Sequence, residues 1–220
     1  NIIARAQRGT TDDVIILAAH YDTLPMLSDL FLGANDGGSG SGLLLELARV
    51  LSKKQWKFSF WFVFFDGEEA QKSWSSKDSL YGSRYFVERL KSQKKVDLIK
   101  AVILTDMVGD KDLILERDTS STIWLMDLVW ESARELGYSQ HLAVKPKTII
   151  DDHSPFLKLG IPAVDLIDYE FGKNNRYWHT SQDTLDKISA KSLLLVGKII
   201  IRMIEKIEGK IEFHTKDSFK

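Results

Sequence analysis

Cysteine is absent from this sequence of 220 residues, and proline occurs only four times. Without cysteine there are no disulfide bonds and no thiolate metal ligands, so a bound metal would need histidine and carboxylate ligands. No proline-rich linker divides the chain, which at this length is expected to form one domain over residues 1–220. There is also no run of about 18 apolar residues, so no membrane-spanning helix is predicted.

The chain also lacks an excess of charge of either sign. Its 30 Lys and Arg residues nearly balance 31 Asp and Glu residues. Such a balance gives no overall field to attract nucleic acid or an anionic membrane, so neither partner is expected. The sequence begins at Asn1 without a Met or a basic-then-apolar leader. One expectation is an exported protein from which an upstream segment has been removed; a cytoplasmic location and the oligomeric state stay open.

Apolar runs alternate with stretches of helical periodicity along the chain. Four runs are typical of strands that are buried on both faces: 13–20, 58–65, 100–107 and 163–167. Four other segments have the spacing of helices: 39–54, 79–91, 121–137 and 189–209. This alternation predicts a three-layer α/β fold with a mainly parallel, twisted central sheet and helices on both faces.

Acidic and histidine side chains occur where the predicted strands end. His20 and Asp22 follow the first strand, Glu68 and Glu69 follow the second, and Asp106 ends the third. Because ligands bind beyond the carboxyl ends of strands in such sheets, we expect these side chains to lie together. The loops add Asp36, Asp151, Asp152 and His179.

Few basic residues lie among these acids. Several carboxylates held within about 6 Å of each other would raise their pKa values unless a cation joined them. Each residue alone has a simpler explanation; Asp36, for example, precedes a helix and could be its N-cap. Their common position at strand ends instead favours a metal site, and zinc with imidazole and carboxylate ligands is the predicted cofactor.

Several motifs together resemble the zinc-dependent exopeptidase superfamily, which includes aminopeptidases and glutaminyl cyclases. They are AAHYDT, GANDGGSGSG, FFDGEEA, TDM, DDHSPF, GIPA and WHTSQDTLD, and they cover nearly the whole chain. The resemblance implies a zinc-exopeptidase-like fold with metal ligation by Asp36, Glu69 and His179. His20 and Asp106 would complete a second metal position, as in the dinuclear peptidases.

The same resemblance implies roles for residues around the metal. Glu68 would be the general acid/base. Asp22 would orient His20 without binding the metal itself. In the cyclase branch, Asp151 and Asp106 would be further catalytic acids that hold the proton network in orientation. Asp151 itself favours that branch, since many of the peptidases have Ser at this position.

Other features also resemble the cyclase branch. The segment WSSKDSLYGSR follows the paired glutamates, and Trp178 directly precedes His179. Trp74 and Trp178 would form walls of the substrate pocket, with Ile149 and Ile150 lining it.

The resemblance implies one of two alternative reactions, and in both the substrate is the N-terminus of a peptide or protein. The leading expectation is conversion of N-terminal Gln to pyroglutamate with release of ammonia, using one zinc ion. The alternative is a zinc aminopeptidase, in which two metal ions activate a water molecule for hydrolysis.

Overall fold

The computed structural model describes residues 1–5, 9–25 and 31–217. Its central sheet has five strands in the spatial order β1-β3-β2-β4-β7. These strands are β1 (Ile2–Arg5), β2 (Val14–His20), β3 (Ser59–Phe65), β4 (Ile99–Asp106) and β7 (Ala163–Ile167). All neighbouring pairs are parallel except β1 and β3, which pair antiparallel at one edge.

Within the described ranges, five α-helices and a second, smaller sheet surround this core. The helices are α1 (Gly38–Leu51), α2 (Tyr81–Ser92), α3 (Ile123–Glu135), α4 (Ser154–Lys158) and α5 (Ala190–Asp217). The smaller sheet pairs β5 (Leu115–Asp118) with β6 (Leu142–Lys147) in parallel. No helix within the described ranges combines the length and apolarity needed to cross a membrane.

Strand β2 shows why the sheet is covered on both faces. Successive side chains of a strand point to opposite faces. Ile15 and Leu17 join a core cluster with α1, α3 and α5, whereas Ile16 and Ala18 join another with α2 and α4. All four are at most 1% exposed. The three-layer α/β fold predicted from the sequence is therefore confirmed.

The predicted strands occur with ends that shift by at most one residue, but the sequence did not predict β1, β5 or β6. β1 is exposed along its length, and β5 and β6 mix charged residues with a proline. Such segments carry little hydrophobic periodicity, and their strand conformation depends on partners that supply the hydrogen bonds. The single-domain organisation of residues 1–220 stays a prediction.

The fold brings the ends of β2, β3 and β4 to one edge of the sheet. His20 lies opposite Phe65 in the parallel pairing of β2 and β3, and Asp106 ends β4 on the other side of β2. Helix α1 can approach this edge because Gly40 has no side chain. A Cβ atom at Gly40 would lie 2.4 Å from the carbonyl oxygen of Thr105. This close approach fixes the loop before α1, which carries Asp36.

Candidate active site

Asp36 lies between two histidines at this edge. Its Oδ1 atom is 3.2 Å from His20 Nε2, and its Oδ2 atom is 3.3 Å from His179 Nε2. Each imidazole nitrogen also faces a second carboxylate. His20 Nε2 is 3.0 Å from Asp106 Oδ1, and His179 Nε2 is 3.1 Å from Glu69 Oε1. Asp36 is therefore shared by a first ligand group (Asp36, Glu69, His179) and a second ligand group (His20, Asp36, Asp106).

Both ligand groups fit a metal ion. Within each group, the three candidate ligand atoms lie within 4.8 Å of one another. One imidazole nitrogen carries either one hydrogen or one lone pair, so hydrogen bonding from it cannot satisfy two carboxylates. Asp36 Oδ2 is buried and, although close to His179, has no hydrogen-bond partner among the described residues. Nitrogen and carboxylate oxygen donors without cysteine are a ligand set that suits zinc.

The pKa values of the two histidines show how strongly the carboxylates attract positive charge. Burial alone would lower the pKa of His179, but contacts with Asp36 and Glu69 outweigh it and raise that pKa to about 9. Burial likewise opposes a charge on His20, yet its carboxylate neighbours, chiefly Asp106, raise the pKa well above the usual value. A metal ion can supply this positive charge in place of the protons.

Asp22 connects His20 to the paired glutamates. Its Oδ1 atom is 3.7 Å from His20 Nδ1. Its two carboxylate oxygens accept hydrogen bonds from the backbone N–H groups of Glu68, at 3.1 Å, and Glu69, at 3.2 Å. Asp22 thus lies beside His20 and fixes the backbone from which both glutamate side chains project. Its expected role in orienting His20 stays a prediction.

Glu68 is buried beside other acids. Burial and the nearby charge of Asp151 raise the pKa of Glu68 well above its usual value. Burial and the charge of Asp106 in turn raise the pKa of Asp151 to about 6. A carboxyl group with a raised pKa can accept and return a proton near neutral pH, which is the property that a general acid/base requires.

A cavity of about 600 Å³ opens over the ligand groups. All four residues predicted to form the substrate pocket line it, together with Glu68 and Asp151. Ile149 is buried in its wall, whereas Trp74 and Ile150 are 47% and 64% exposed. Trp178 is half-buried next to the first ligand group. The cavity therefore joins an acidic floor to an apolar and aromatic wall.

Among the residues near the site that were not predicted from the sequence, three have contacts that bear on its geometry. Tyr169 lines the cavity and follows the end of β7 by two residues, which is the same sheet-edge signal used for the other strands. Asn35 and Asp183 are fully buried. The carboxylate of Asp183 accepts hydrogen bonds from the backbone N–H groups of Asn35 and Asp36, and Asn35 Oδ1 accepts one from Gly109. Both lie inside motifs that were recognised, GANDGGSGSG and WHTSQDTLD.

Asp152, expected at the same edge, is buried but belongs to neither ligand group nor the cavity wall.

Together, the α/β fold and the two ligand groups fit a zinc site of the exopeptidase type. Residues 1–204 match the family model of Peptidase family M28. The chain belongs to this family, which confirms the relationship predicted from the sequence motifs.

Similar proteins include both cyclases and an exopeptidase. The glutaminyl-peptide cyclotransferase of Drosophila melanogaster is 31% identical over 90% of this chain and 63% of its own length. The crystal structure of an Acidobacteriales bacterium glutaminyl cyclase is 43% identical, with a TM-score of 0.91 over 94% of this chain and 73% of that chain. A Zn-dependent exopeptidase from Parabacteroides distasonis is 27% identical, with a TM-score of 0.76 over 88% and 73%. The chain spans 54 to 63% of the length of the first three curated relatives.

Proposed function

We propose that this chain acts as a glutaminyl-peptide cyclotransferase, which converts the N-terminal Gln of a peptide to pyroglutamate and releases ammonia. One observation carries the proposal: Glu68 and Asp151 line the same cavity as Trp178, immediately beside the first ligand group. The similarity to two proteins named as glutaminyl cyclases supports it.

In this reaction the α-amine of the substrate attacks its own γ-carboxamide carbon. A new C–N bond closes the five-membered ring, and the bond to the amide nitrogen breaks so that ammonia leaves. Both reacting groups belong to one residue, so the pocket has to fold that residue rather than bring in a second reactant. The first ligand group, Asp36, Glu69 and His179, would hold a zinc ion, which supplies Lewis-acid chemistry when bound.

Glu68 moves the proton in this proposal. It accepts a proton from the attacking amine and donates one to the leaving nitrogen, which departs as ammonia. The raised pKa of Glu68, caused by burial and by Asp151, keeps the proton affinity of this carboxylate close to what both steps need. Asp151 and Asp106 keep negative charge near Glu68 and thereby maintain that affinity.

The cavity wall determines the conformation of the substrate. Trp178 and Ile149 present apolar surface next to the acidic floor, and the partly exposed Trp74 also lines the cavity. A Gln side chain that folds back toward its own amine buries its methylene groups against such surface. The same surface excludes water, which would otherwise compete with the amine as nucleophile.

A zinc aminopeptidase is the second candidate, because the second ligand group is also complete. His20, Asp36 and Asp106 are all buried and have candidate ligand atoms within 4.8 Å of one another. Two ions would have to share Asp36, and a dinuclear site suits the activation of a water molecule. For the cyclase we propose one zinc, at the first ligand group, because its nucleophile is the substrate amine and not water.

The two candidates differ in the product that they release. The zinc-loaded protein is incubated with a peptide carrying N-terminal Gln and, separately, with leucine anilide. We expect ammonia and pyroglutamate from the first substrate and little aniline from the second. Rapid aniline release with two bound ions, and no ammonia from the Gln peptide, would establish the aminopeptidase instead.

A further inference from the structure

Two buried polar side chains, Asp183 and Asn35, join the loops that carry the two ligand groups. Both are fully buried, and neither lines the cavity or belongs to a ligand group. We propose that Asp183 and Asn35 are positioning residues that fix the backbone of Asp36 and so set the zinc affinity of the site. The inference rests on the metal site of the proposed function and is independent of which reaction the site performs.

Asp183 connects the His179 loop to the Asp36 loop. It follows His179 by four residues and accepts two backbone hydrogen bonds. Its Oδ1 atom accepts from the N–H of Asn35 at 2.7 Å, and its Oδ2 atom accepts from the N–H of Asp36 at 3.0 Å. Hydrogen bonds to a carboxylate are stronger than those between neutral groups, and both of these are shielded from water. One side chain therefore holds two successive backbone N–H groups, those of Asn35 and Asp36.

Asn35 connects the same loop to the end of β4. Its Oδ1 atom accepts a hydrogen bond of 2.8 Å from the N–H of Gly109, three residues after Asp106. Its backbone carbonyl accepts a hydrogen bond of 2.6 Å from the hydroxyl of Ser39 in α1. Together, Asp183 and Asn35 thus link the three segments that supply Asp36, His179 and Asp106.

The geometry of Asp36 makes this linkage consequential. Its two oxygens must face His20 and His179 at the same time, so a small rotation of the backbone would displace both contacts. Two linked segments also contain strained residues: His179 has a φ of 53° and Met107 a φ of 46°. Non-glycine residues keep such conformations only where the surrounding structure enforces them. Asp183 lies four residues after His179, and the Asn35 bond to Gly109 lies two residues after Met107, so both provide hydrogen bonds within the segments that carry these residues.

The substitution Asp183→Asn tests this role with almost no change in shape. The amide keeps one acceptor oxygen but presents N–H groups where the second acceptor was, so one of the two backbone donors loses its partner. Loss of supporting hydrogen bonds around metal ligands typically weakens metal binding about 10- to 100-fold. We expect a weakening in that range, measured as the zinc Kd by competition with a chelator of known affinity.

A control variant separates positioning from general stability. Asp186→Asn makes the same chemical change three residues further on, at a side chain that is 68% exposed. We expect its zinc Kd to equal that of the wild type. The unfolding free energy of each metal-free protein is measured in parallel, because a purely structural role would lower that energy without changing the zinc Kd of the folded protein.

Asn35→Ala gives a second test in case Asp183→Asn does not fold. It removes the acceptor for Gly109 and leaves Asp183 with both of its backbone donors. We expect its zinc Kd to rise as well. A zinc Kd within twofold of wild type in the folded variants, or equal weakening in Asp186→Asn, would overturn the proposal. Because zinc binding is measured without turnover, a failure of the proposed reaction would appear separately, as missing ammonia release from the wild type.

Discussion

The indole of Trp178 stacks on the imidazole of His179, with ring centroids 4.1 Å apart and an angle of 29° between the planes. Trp178 also packs against Tyr169, with centroids 5.7 Å apart. The aromatic wall of the cavity is thereby attached to a residue of the first ligand group. In the proposed reaction, the indole would help to set the position of the substrate relative to a bound metal, which makes Trp178 a sensitive place to test that reaction.

Replacing Trp178 with Ala should reduce pyroglutamate formation by about one to three orders of magnitude, because a displacement near 1 Å costs roughly a hundredfold in reactions that depend on orientation. Zinc content should stay near that of the wild type, since the indole is not a ligand. The measurements are kcat/KM for a Gln peptide and metal content of the purified protein. Trp124→Ala, at an exposed tryptophan outside the cavity, should leave both unchanged. Equal kcat/KM in Trp178→Ala and wild type would remove Trp178 from the substrate pocket.

Asp151→Ser separates the two candidate reactions. In a cyclase, loss of this carboxylate lowers the pKa of Glu68 and weakens its ability to carry a proton, so ammonia release should fall by about one to three orders of magnitude. In an aminopeptidase, Ser at this position should leave hydrolysis of leucine anilide largely intact. Both activities are measured on the same zinc-loaded preparation. Undiminished ammonia release from Asp151→Ser would contradict its place in the proton network.

Glu68→Gln should retain the fold and the bound zinc while losing most of the turnover. The amide has nearly the same shape as the carboxylate but cannot transfer a proton, and positioned acid/base groups typically contribute about 10² to 10⁴ in rate. Circular dichroism, zinc content and kcat are the three readouts. If kcat stays at the wild-type level, another group must carry the proton.

Zinc binding should depend on each member of the first ligand group. His179→Ala and Asp36→Ala should each lose most of the bound zinc, because a site with three protein ligands cannot easily spare one. Metal content after dialysis measures this effect. His141→Ala removes a histidine that lies outside both ligand groups and whose Nδ1 is 2.9 Å from the carbonyl oxygen of Leu113; it should keep its zinc. Stoichiometric zinc in His179→Ala would refute the ligand assignment.

Two glycines of α1 should respond in opposite ways to an added methyl group. Gly40→Ala would place Cβ 2.4 Å from the Thr105 carbonyl oxygen and force the helix away from the sheet, at a cost of about 1 to 3 kcal/mol. Gly42→Ala meets no described atom within 4 Å and should stabilise the helix by about 0.5 to 1 kcal/mol. Denaturant unfolding of both variants gives the comparison. A neutral Gly40→Ala would show that the approach of α1 to β4 is not tightly constrained.

The sequence by itself determined the four parallel strands of the central sheet and the main helices. In a continuous apolar run such as 13–20, the side chains on both faces of the strand are apolar and must be buried. Such runs therefore predicted a parallel sheet that is covered by helices on both faces. The positions of His20, Glu69 and Asp106 at strand ends then predicted one acidic edge, because parallel strands deliver their carboxyl ends to the same side. Motif order within the chain was enough to identify the family.

Only the tertiary structure decided which of these side chains lie within ligand distance of each other. That Asp36 lies close to both histidines depends on distances between the end of β2 and two separate loops, and no local pattern encodes such distances. Asn35 and Asp183 were missed for the same reason: a buried acid or amide in a loop has an ordinary appearance in sequence, and its role depends on the backbone groups that it meets across the fold. Short exposed strands such as β1 exist only because a neighbouring strand offers hydrogen bonds. Local pattern therefore determined the buried strands and the main helices, and long-range contacts decided the short strands and which atoms of the site face each other.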